Sequence, residues 1–216
     1  MRNLISQIID DTSQTYQWTG INHLDDRVLE AIGEVPRERY VPKEYVNYAK
    51  QNVPLGIGYG QTISQPFIVA LMTELLQPRP DHVVLEVGCG SGYQASILSL
   101  LVDQVYSVEI VPQLAEMASS RLSELGYHNV QVKRGDGWYG WLEHGPYDGI
   151  LVAAVTEHIP PQLIEQLRPG GRLVIPVGEK QGDQQLVVAT KTDRGLEKRQ
   201  VLPVRFVPFT RAENPN

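Results

Sequence analysis

The stretch "HVVLEVGCGSGY", His82–Tyr93, decides how the rest of the chain reads. Val83, Val84, Leu85 and Val87 form a largely β-branched apolar run, interrupted only by Glu86 and bounded by Pro80 and Gly88, the pattern of a strand buried on both faces. The following "YQASILSLL" has helical spacing. Between them Gly88, Gly90 and Gly92 let the backbone turn tightly and approach a ligand without a Cβ in the way. A glycine-rich turn can be only a turn. Here it leaves a strand and opens a helix, the context in which such a turn holds a ligand. The dinucleotide pattern places its last glycine where this chain has Tyr93, which argues against a pyrophosphate cradle. No Lys-Ser/Thr pair follows, so a P-loop does not fit either.

Toward the C-terminus, strand and helix patterns alternate. "QVYSVEI", "VQVKRGD", "YDGILVAA" and "RLVIPVG" read as strands, the last entered through the turn "RPGG". "VPQLAEMASSRLSELG" is a helix opened by Pro112 and closed by Gly126, and "PQLIEQL" is another. "QQLVVATKT" and "EKRQVLPVRFVPF" follow with no helix between them, predicting a terminal hairpin turning near Asp193–Gly195. The alternation implies right-handed crossovers and a mostly parallel sheet covered on both faces. Such a sheet binds ligands beyond the carboxyl ends of its strands, where the connectivity reverses.

Toward the N-terminus the chain is helical and broken. "NLISQIID" puts Leu4, Ile5, Ile8 and Ile9 on one face; "LDDRVLEAIGEV" does the same with Leu24, Val28, Leu29 and Ile32, with Asp25 or Asp26 as N-cap. A short helix near Lys43–Lys50 leads into "NVPLGIGYGQTIS", read as a loop. "PFIVALMTELL" is a helix with Pro66 in its first turn and Ile68, Leu71, Met72 and Leu75 on one face. The expected division is a helical segment over residues 1–80 packed on a core over residues 81–216, one domain in all.

The chain has 216 residues, 42% hydrophobic, enough for a sizeable core. A net charge of −6 disfavours a nucleic-acid binder. The single cysteine, Cys89, allows no internal disulfide. No run reaches the length of a membrane span, and "MRNLISQIIDDTSQ" does not read as a signal peptide, so a cytoplasmic protein is expected. The histidines are scattered without metal-ligand spacing, and no metal is expected.

Glu109 ends the second strand, about 20 residues past the glycines, where a carboxylate can accept from two ribose hydroxyls. Asp136, between two glycines in "RGDGW", can bond an exocyclic adenine amine; an ordinary Asp-Gly turn is the competing reading. Together with the glycine loop they describe a nucleoside pocket without phosphate chemistry.

"LEVGCGSGY", "VEI", "GDG", "PYDGI" and "LRPGGRLVIPVG" resemble the ordered motifs of class I S-adenosylmethionine-dependent methyltransferases. "AIGEVPRERYVP", "LGIGYGQTISQPFIVA", "NVQVKRGDGWYGW" and "VRFVPF" extend the resemblance, along nearly the whole chain, to the protein-L-isoaspartate O-methyltransferase family. That resemblance implies a Rossmann-like, doubly wound α/β fold with a mostly parallel seven-stranded sheet, an N-terminal helical extension and a C-terminal β-hairpin. It implies S-adenosyl-L-methionine as cofactor, S-adenosyl-L-homocysteine as product, and isoaspartyl-containing proteins and peptides as substrates. Carried over by position, the cofactor side is Glu86, Gly88, Gly90, Gly92, Glu109, Asp136 and Gly137. The acceptor side is Thr62, Ile63 and Ser64, with Ser64 as the active-site serine, and a monomer is expected. Two positions depart from the family pattern: Cys89 stands where Thr is usual, and "LVAAV" around Ala153 replaces Thr-Ala-Ala. "GQTISQP", Gly60–Pro66, is the element general methyltransferases lack. A carboxylate with a pKa near 4 needs no general base, so hydroxyls rather than His or Asp suit its placement. Thr62 and Ser64 alternate with Ile63, so an extended backbone shows both hydroxyls to one side. Helix capping before Pro66 is the competing role for Ser64. A class I methyltransferase for another acceptor, or a non-catalytic cofactor-binding module, would share the cofactor motifs.

Overall fold

The computed structural model describes residues 2–212. The chain opens with helices α1 (Arg2–Gln14), α2 (Tyr16–Thr19) and α3 (Asp26–Glu34), then two short 3-10 turns, Arg37–Tyr40 and Lys43–Tyr48. Asp25 caps α3, accepting from the Arg27 N–H at 2.9 Å. In α1, Leu4 and Ile8 are buried, but Ile9 is 46% exposed and Thr12 takes its place inside. The buried stripe runs along the i, i+4, i+8 positions and tilts away from Ile9.

The segment read as a loop before "SQP" is an antiparallel hairpin of β1 (Leu55–Gly58) and β2 (Gln61–Ile63). Its two central turn residues, Tyr59 and Gly60, both have positive φ (53° and 71°), as a type I′ turn requires. Only four and three residues long, the strands carry no run of alternation for the sequence to display. Helix α4 (Pro66–Leu76) follows, with Pro66 in its first turn. It is buried nearly all round rather than on one face, because it lies between the sheet and helices α1 and α3. Its free N-terminal donors are met from a distance: the Phe67 N–H donates to Asn52 Oδ1 at 2.9 Å, and Asn52 Nδ2 donates to Asp11 Oδ2 at 2.7 Å. Asn52→Ala is therefore expected to cost about 1 kcal/mol, seen in thermal denaturation as a Tm drop of about 2–4 °C.

The main sheet has seven strands: β3 (Val83–Val87), β4 (Gln104–Glu109), β5 (Val130–Arg134), β6 (Tyr147–Val152), β7 (Leu167–Gly178), β8 (Gln184–Thr192) and β9 (Gly195–Pro203). Their order is β5-β4-β3-β6-β7-β8-β9. The pairs from β5 to β7 are parallel, and β8 and β9 add on antiparallel as the expected hairpin. Helices α5 (Tyr93–Ser99), α6 (Pro112–Glu124) and α7 (Pro161–Glu165) make the crossovers. The expected doubly wound α/β fold is present. "RPGG" is not a turn before β7 but a bulge inside it, where the register shifts between Tyr147 and Gly149 of β6. The last strand ends at Pro203; residues 204–209 leave the ladder and cross to Gln184 and Val155.

Apolar clusters lie on both sides of the sheet. One contains Leu4, Val28, Leu71 and Val84 together, so the N-terminal helices and the sheet share a core. The winding reverses at β3, with β4 on one side and β6 on the other, and the loops beyond their carboxyl ends converge there.

Candidate functional site

Beyond β3, Gly88, Gly90 and Gly92 all have positive φ (91°, 55° and 88°), a conformation side chains other than glycine resist. The loop is anchored on both flanks. Gly88 N–H donates to Val108 O at 2.8 Å, and Ala153 N–H donates to Val87 O at 2.9 Å. Glu109, at the end of β4 and 5% exposed, braces it from the side. Its Oε2 accepts from the Gly90 N–H at 2.7 Å and its Oε1 from the Val111 N–H at 2.9 Å. The carboxylate thus fixes the glycine loop and the turn into α6 at once, and each oxygen keeps a lone pair for a further donor.

Gly88, Gly90, Glu109 and Val111 border a cavity with Gly137 on another wall, while Gly92 faces Leu122 and Ala118 of α6. A Cβ at Gly137 would sit 2.3 Å from Val87 Cγ1, so only glycine fits there. Its neighbour Asp136 does not line the cavity. Asp136 Oδ1 accepts from the Trp138 N–H at 3.0 Å. Its Oδ2 accepts from Arg211 Nε at 2.8 Å and the Ala212 N–H at 3.1 Å. The Arg211 guanidinium also lies 4.3 Å from the Trp138 ring centre, and Trp138 packs edge-on against His158 and Phe209. Its carboxylate holds the C-terminal segment, and Oδ1, with one partner, keeps a lone pair for a further donor. Val207–Thr210 of that segment form part of the cavity wall.

Glu86 likewise lies beneath the loop rather than in the cavity lining. It is fully buried, Ser107 Oγ donates to its Oε2, and its Oε1 has no partner among the described residues. Burial pushes its pKa up to about 8, and the nearby Glu109 charge adds to the rise. Burial and Glu86 also push the Cys89 thiol up, so Cys89 is no thiolate nucleophile. Between about pH 5 and 8 the folded chain holds a Glu86 proton that the unfolded chain has released. Rising pH across this window should therefore destabilise the fold. Glu86→Gln keeps an acceptor for Ser107 and should flatten that slope, which Tm measured at about pH 5.5 and 8 will read.

The β1–β2 hairpin closes the cavity from above. Thr62, Ile63 and Ser64 line it together with Gly88–Ser91, and Ile57 Cδ1 lies 3.3 Å from where a Gly90 Cβ would stand. Ile63 is buried, while Thr62 and Ser64 keep accessible surface on the other side of the strand, as the alternation predicts. Among the described residues no hydrogen bond engages the Ser64 or Thr62 side chain. Ser64 is not the helix cap: Gln65 holds that position, and Asn52 supplies the bond. A second concavity, bordered by Pro54, Gln65, Ile68 and residues 203–207, shares Thr62, Ser64, Ala153 and Val207 with the first. The two meet at Ser64.

The cavity fits a nucleoside-bearing ligand: Gly88 and Gly90 leave the loop backbone approachable, and a carboxylate with free lone pairs ends the next strand. Among the described residues no cluster of three or more His, Cys, Asp or Glu could hold a metal ion. No described helix is long and apolar enough to cross a membrane. Sequence reasoning missed the bracing by Asn52, Arg37 and Arg211, whose partners are distant in the chain. A charged or amide residue between prolines was the only local signal.

Residues 13–214 match the family model described as Protein-L-isoaspartate(D-aspartate) O-methyltransferase. Proteins described as protein-L-isoaspartate O-methyltransferase 2 from Syntrophobacter fumaroxidans and Polaromonas sp. are each 52% identical over 208 residues. These alignments cover 96% of this chain, and 84% and 99% of theirs. A solved protein-L-isoaspartate O-methyltransferase superposes with a TM-score of 0.84 at 30% identity, over 96% of this chain and 65% of its own. A Plasmodium falciparum chain solved in complex with S-adenosyl-L-homocysteine shares the fold, with a TM-score of 0.75 at 23% identity over 94% of this chain and 97% of its own.

Proposed function

The chain belongs to the protein-L-isoaspartate(D-aspartate) O-methyltransferase family, and on that premise we propose that Ser64 aims the acceptor carboxylate across the junction of the two cavities. The enzyme transfers a methyl group from S-adenosyl-L-methionine to the free carboxylate of L-isoaspartyl residues in damaged proteins and peptides. The methyl ester then closes to a succinimide, which starts the return to L-aspartyl.

In this reading Glu109, the glycine loop and Gly137 hold the cofactor, and Thr62, Ile63 and Ser64 hold the acceptor. When bound, the cofactor supplies a sulfonium methyl group that is already electrophilic. The acceptor carboxylate is ionised at neutral pH, so no residue has to remove a proton. The chain's work is placement and exclusion of water. Orientation of this kind is worth about 7–11 kcal/mol. The nucleophile loses its charge as it reacts, so a direct Arg clamp would stabilise the ground state more than the transition state. A neutral hydroxyl with no other partner meets that requirement. The observation carrying the proposal is that the cofactor cavity and the outer groove share Ser64 and Thr62.

The same reading assigns residues 1–80 to the acceptor side and 81–216 to the cofactor side of one domain. It also makes the working unit a cytoplasmic monomer that needs no nucleic acid, in keeping with the net charge of −6. Asp136 and Glu86 belong to the cofactor side in it, Asp136 meeting the adenine amine through its remaining lone pair and Glu86 lying beneath the glycine loop.

The test uses labelled S-adenosylmethionine with a peptide pair that differs only in isoaspartyl against aspartyl. Label in the isoaspartyl peptide alone is expected. Equal label in both, or in neither, would overturn the reading.

A further inference from the structure

Arg37 is 2% exposed, yet among the described residues no carboxylate forms an ion pair with it. It sits in the 3-10 turn Arg37–Tyr40, just after Pro36. Its guanidinium donates instead to four backbone carbonyls. Nη1 reaches Ala49 O at 2.9 Å and Gln51 O at 3.2 Å; Nη2 reaches Val53 O at 2.8 Å and Ser64 O at 3.1 Å. Its central carbon lies 5.8 Å from the ring centre of Tyr93, itself a cavity-lining residue. Burial pulls its pKa down to about 10, so it stays charged at neutral pH.

A buried cation without a counter-charge is costly and is kept only where its geometry is needed. A planar fork suits this task, because rigid donors in one plane can hold carbonyls from two separate segments. The segments joined are the Ala49–Val53 strap and the Ser64 peptide. Asn52 of the same strap holds the Phe67 N–H, three residues beyond Ser64. The Ser64 peptide is thus fixed at its carbonyl by Arg37, and the helix it leads into is fixed by Asn52. With the Ser64 carbonyl held on one side and the β1–β2 ladder holding Ile63 on the other, both peptide planes flanking the Ser64 Cα are restrained, and together they set its Cα–Cβ direction. We propose that Arg37 is a positioning residue for the methyl acceptor: it pins the Ser64 peptide to the Ala49–Val53 strap and thereby sets where the Ser64 hydroxyl points. It also places a positive charge one peptide unit behind that hydroxyl. The charge draws an anionic acceptor toward Ser64 without forming a direct salt bridge that would hold back the nucleophile.

This inference rests on the proposed role of Ser64, and two variants test it. Arg37→Lys keeps the charge but cannot span the same carbonyls; Arg37→Met removes both charge and fork. Affinity for S-adenosyl-L-homocysteine should stay within about threefold of the parent in each, since Arg37 does not itself line the cofactor cavity and the glycine loop and Glu109 keep their own bonds. The isoaspartyl-peptide kcat should fall by about tenfold or more in the Met variant and by less in the Lys variant, with the peptide KM raised in the Met variant, which has lost the charge, and little changed in the Lys variant. Amide exchange over residues 49–65 should speed up in both. If the Met variant does not fold, the Lys variant decides. A folded variant with parental kcat, parental exchange over residues 49–65, or cofactor affinity falling in step with kcat overturns the proposal. A parent enzyme that exchanges as expected but methylates no isoaspartyl peptide would overturn the functional reading and leave the Arg37 pin standing.

Discussion

Ser64→Ala is expected to lower kcat/KM for an isoaspartyl peptide by about 10²-fold, the loss that follows when a reacting group is misplaced by about 1 Å. Cofactor affinity and Tm should not move. The reason lies in what the side chain does not do. Among the described residues its hydroxyl has no hydrogen bond, and it does not cap α4, which takes its bond from Asn52. Alanine therefore strands no buried group and opens no cavity of consequence. Steady-state kinetics, S-adenosyl-L-homocysteine titration and a thermal melt separate the roles. A kcat/KM within about twofold of the parent would end the assignment. A parallel drop in Tm would mean that Ser64 is structural.

Glu109→Gln is expected to weaken S-adenosyl-L-homocysteine binding by about 10²-fold, although it is nearly isosteric. Both carboxylate oxygens accept backbone N–H groups, from Gly90 and from Val111. An amide has only one acceptor oxygen, so whichever way it turns, its NH₂ faces a backbone donor. Hydrogen bonds to charged groups contribute about 1.5–3 kcal/mol each, and losing one here also loosens the glycine loop. The ribose acceptor is weakened at the same time. Calorimetric titration checks this, with Ser64→Ala as the control that should bind normally. Unchanged affinity in Glu109→Gln would show that the carboxylate braces the loop without contributing to the ligand.

Much of the architecture is legible because it is local and periodic. The β3 run, the glycine turn, the α6 boundaries at Pro112 and Gly126, and the terminal hairpin all follow from patterns a few residues long. The errors have a common origin. Ile9 was assigned to the buried face of α1 because periodicity cannot say how a helix tilts on its neighbours. Helix α4 was given one apolar face because its second covering, by α1 and α3, comes from elsewhere in the chain. The β1–β2 hairpin escaped because its strands are too short for alternation to show.

The candidate site divides along the same line. Gly88, Gly90, Glu109, Thr62 and Ser64 follow from residue type and from the family resemblance, and the fold gathers them around one cavity, while Gly92 turns the chain into α5 against Leu122 and Ala118. Asp136, and Glu86 which the family resemblance adds, also hold partners that no local pattern displays. Asp136 meets Arg211, 75 positions away, and Glu86 is buried against Ser107. A carboxylate's position on a strand end is encoded locally, whereas the donors that claim its lone pairs are not.

The sequence by itself determined the succession of strands and helices from β3 onward, the conformational demand at the glycines and the alternation that points both hydroxyls one way. Tertiary structure alone decided that Arg37 holds the Ser64 carbonyl, that Asn52 caps α4, and that residues 207–210 wall the cavity. The physical reason is range. Backbone dihedral preferences and hydrophobic periodicity act over a few residues, whereas a buried guanidinium or amide takes whichever carbonyls and N–H groups the finished packing brings within about 3 Å.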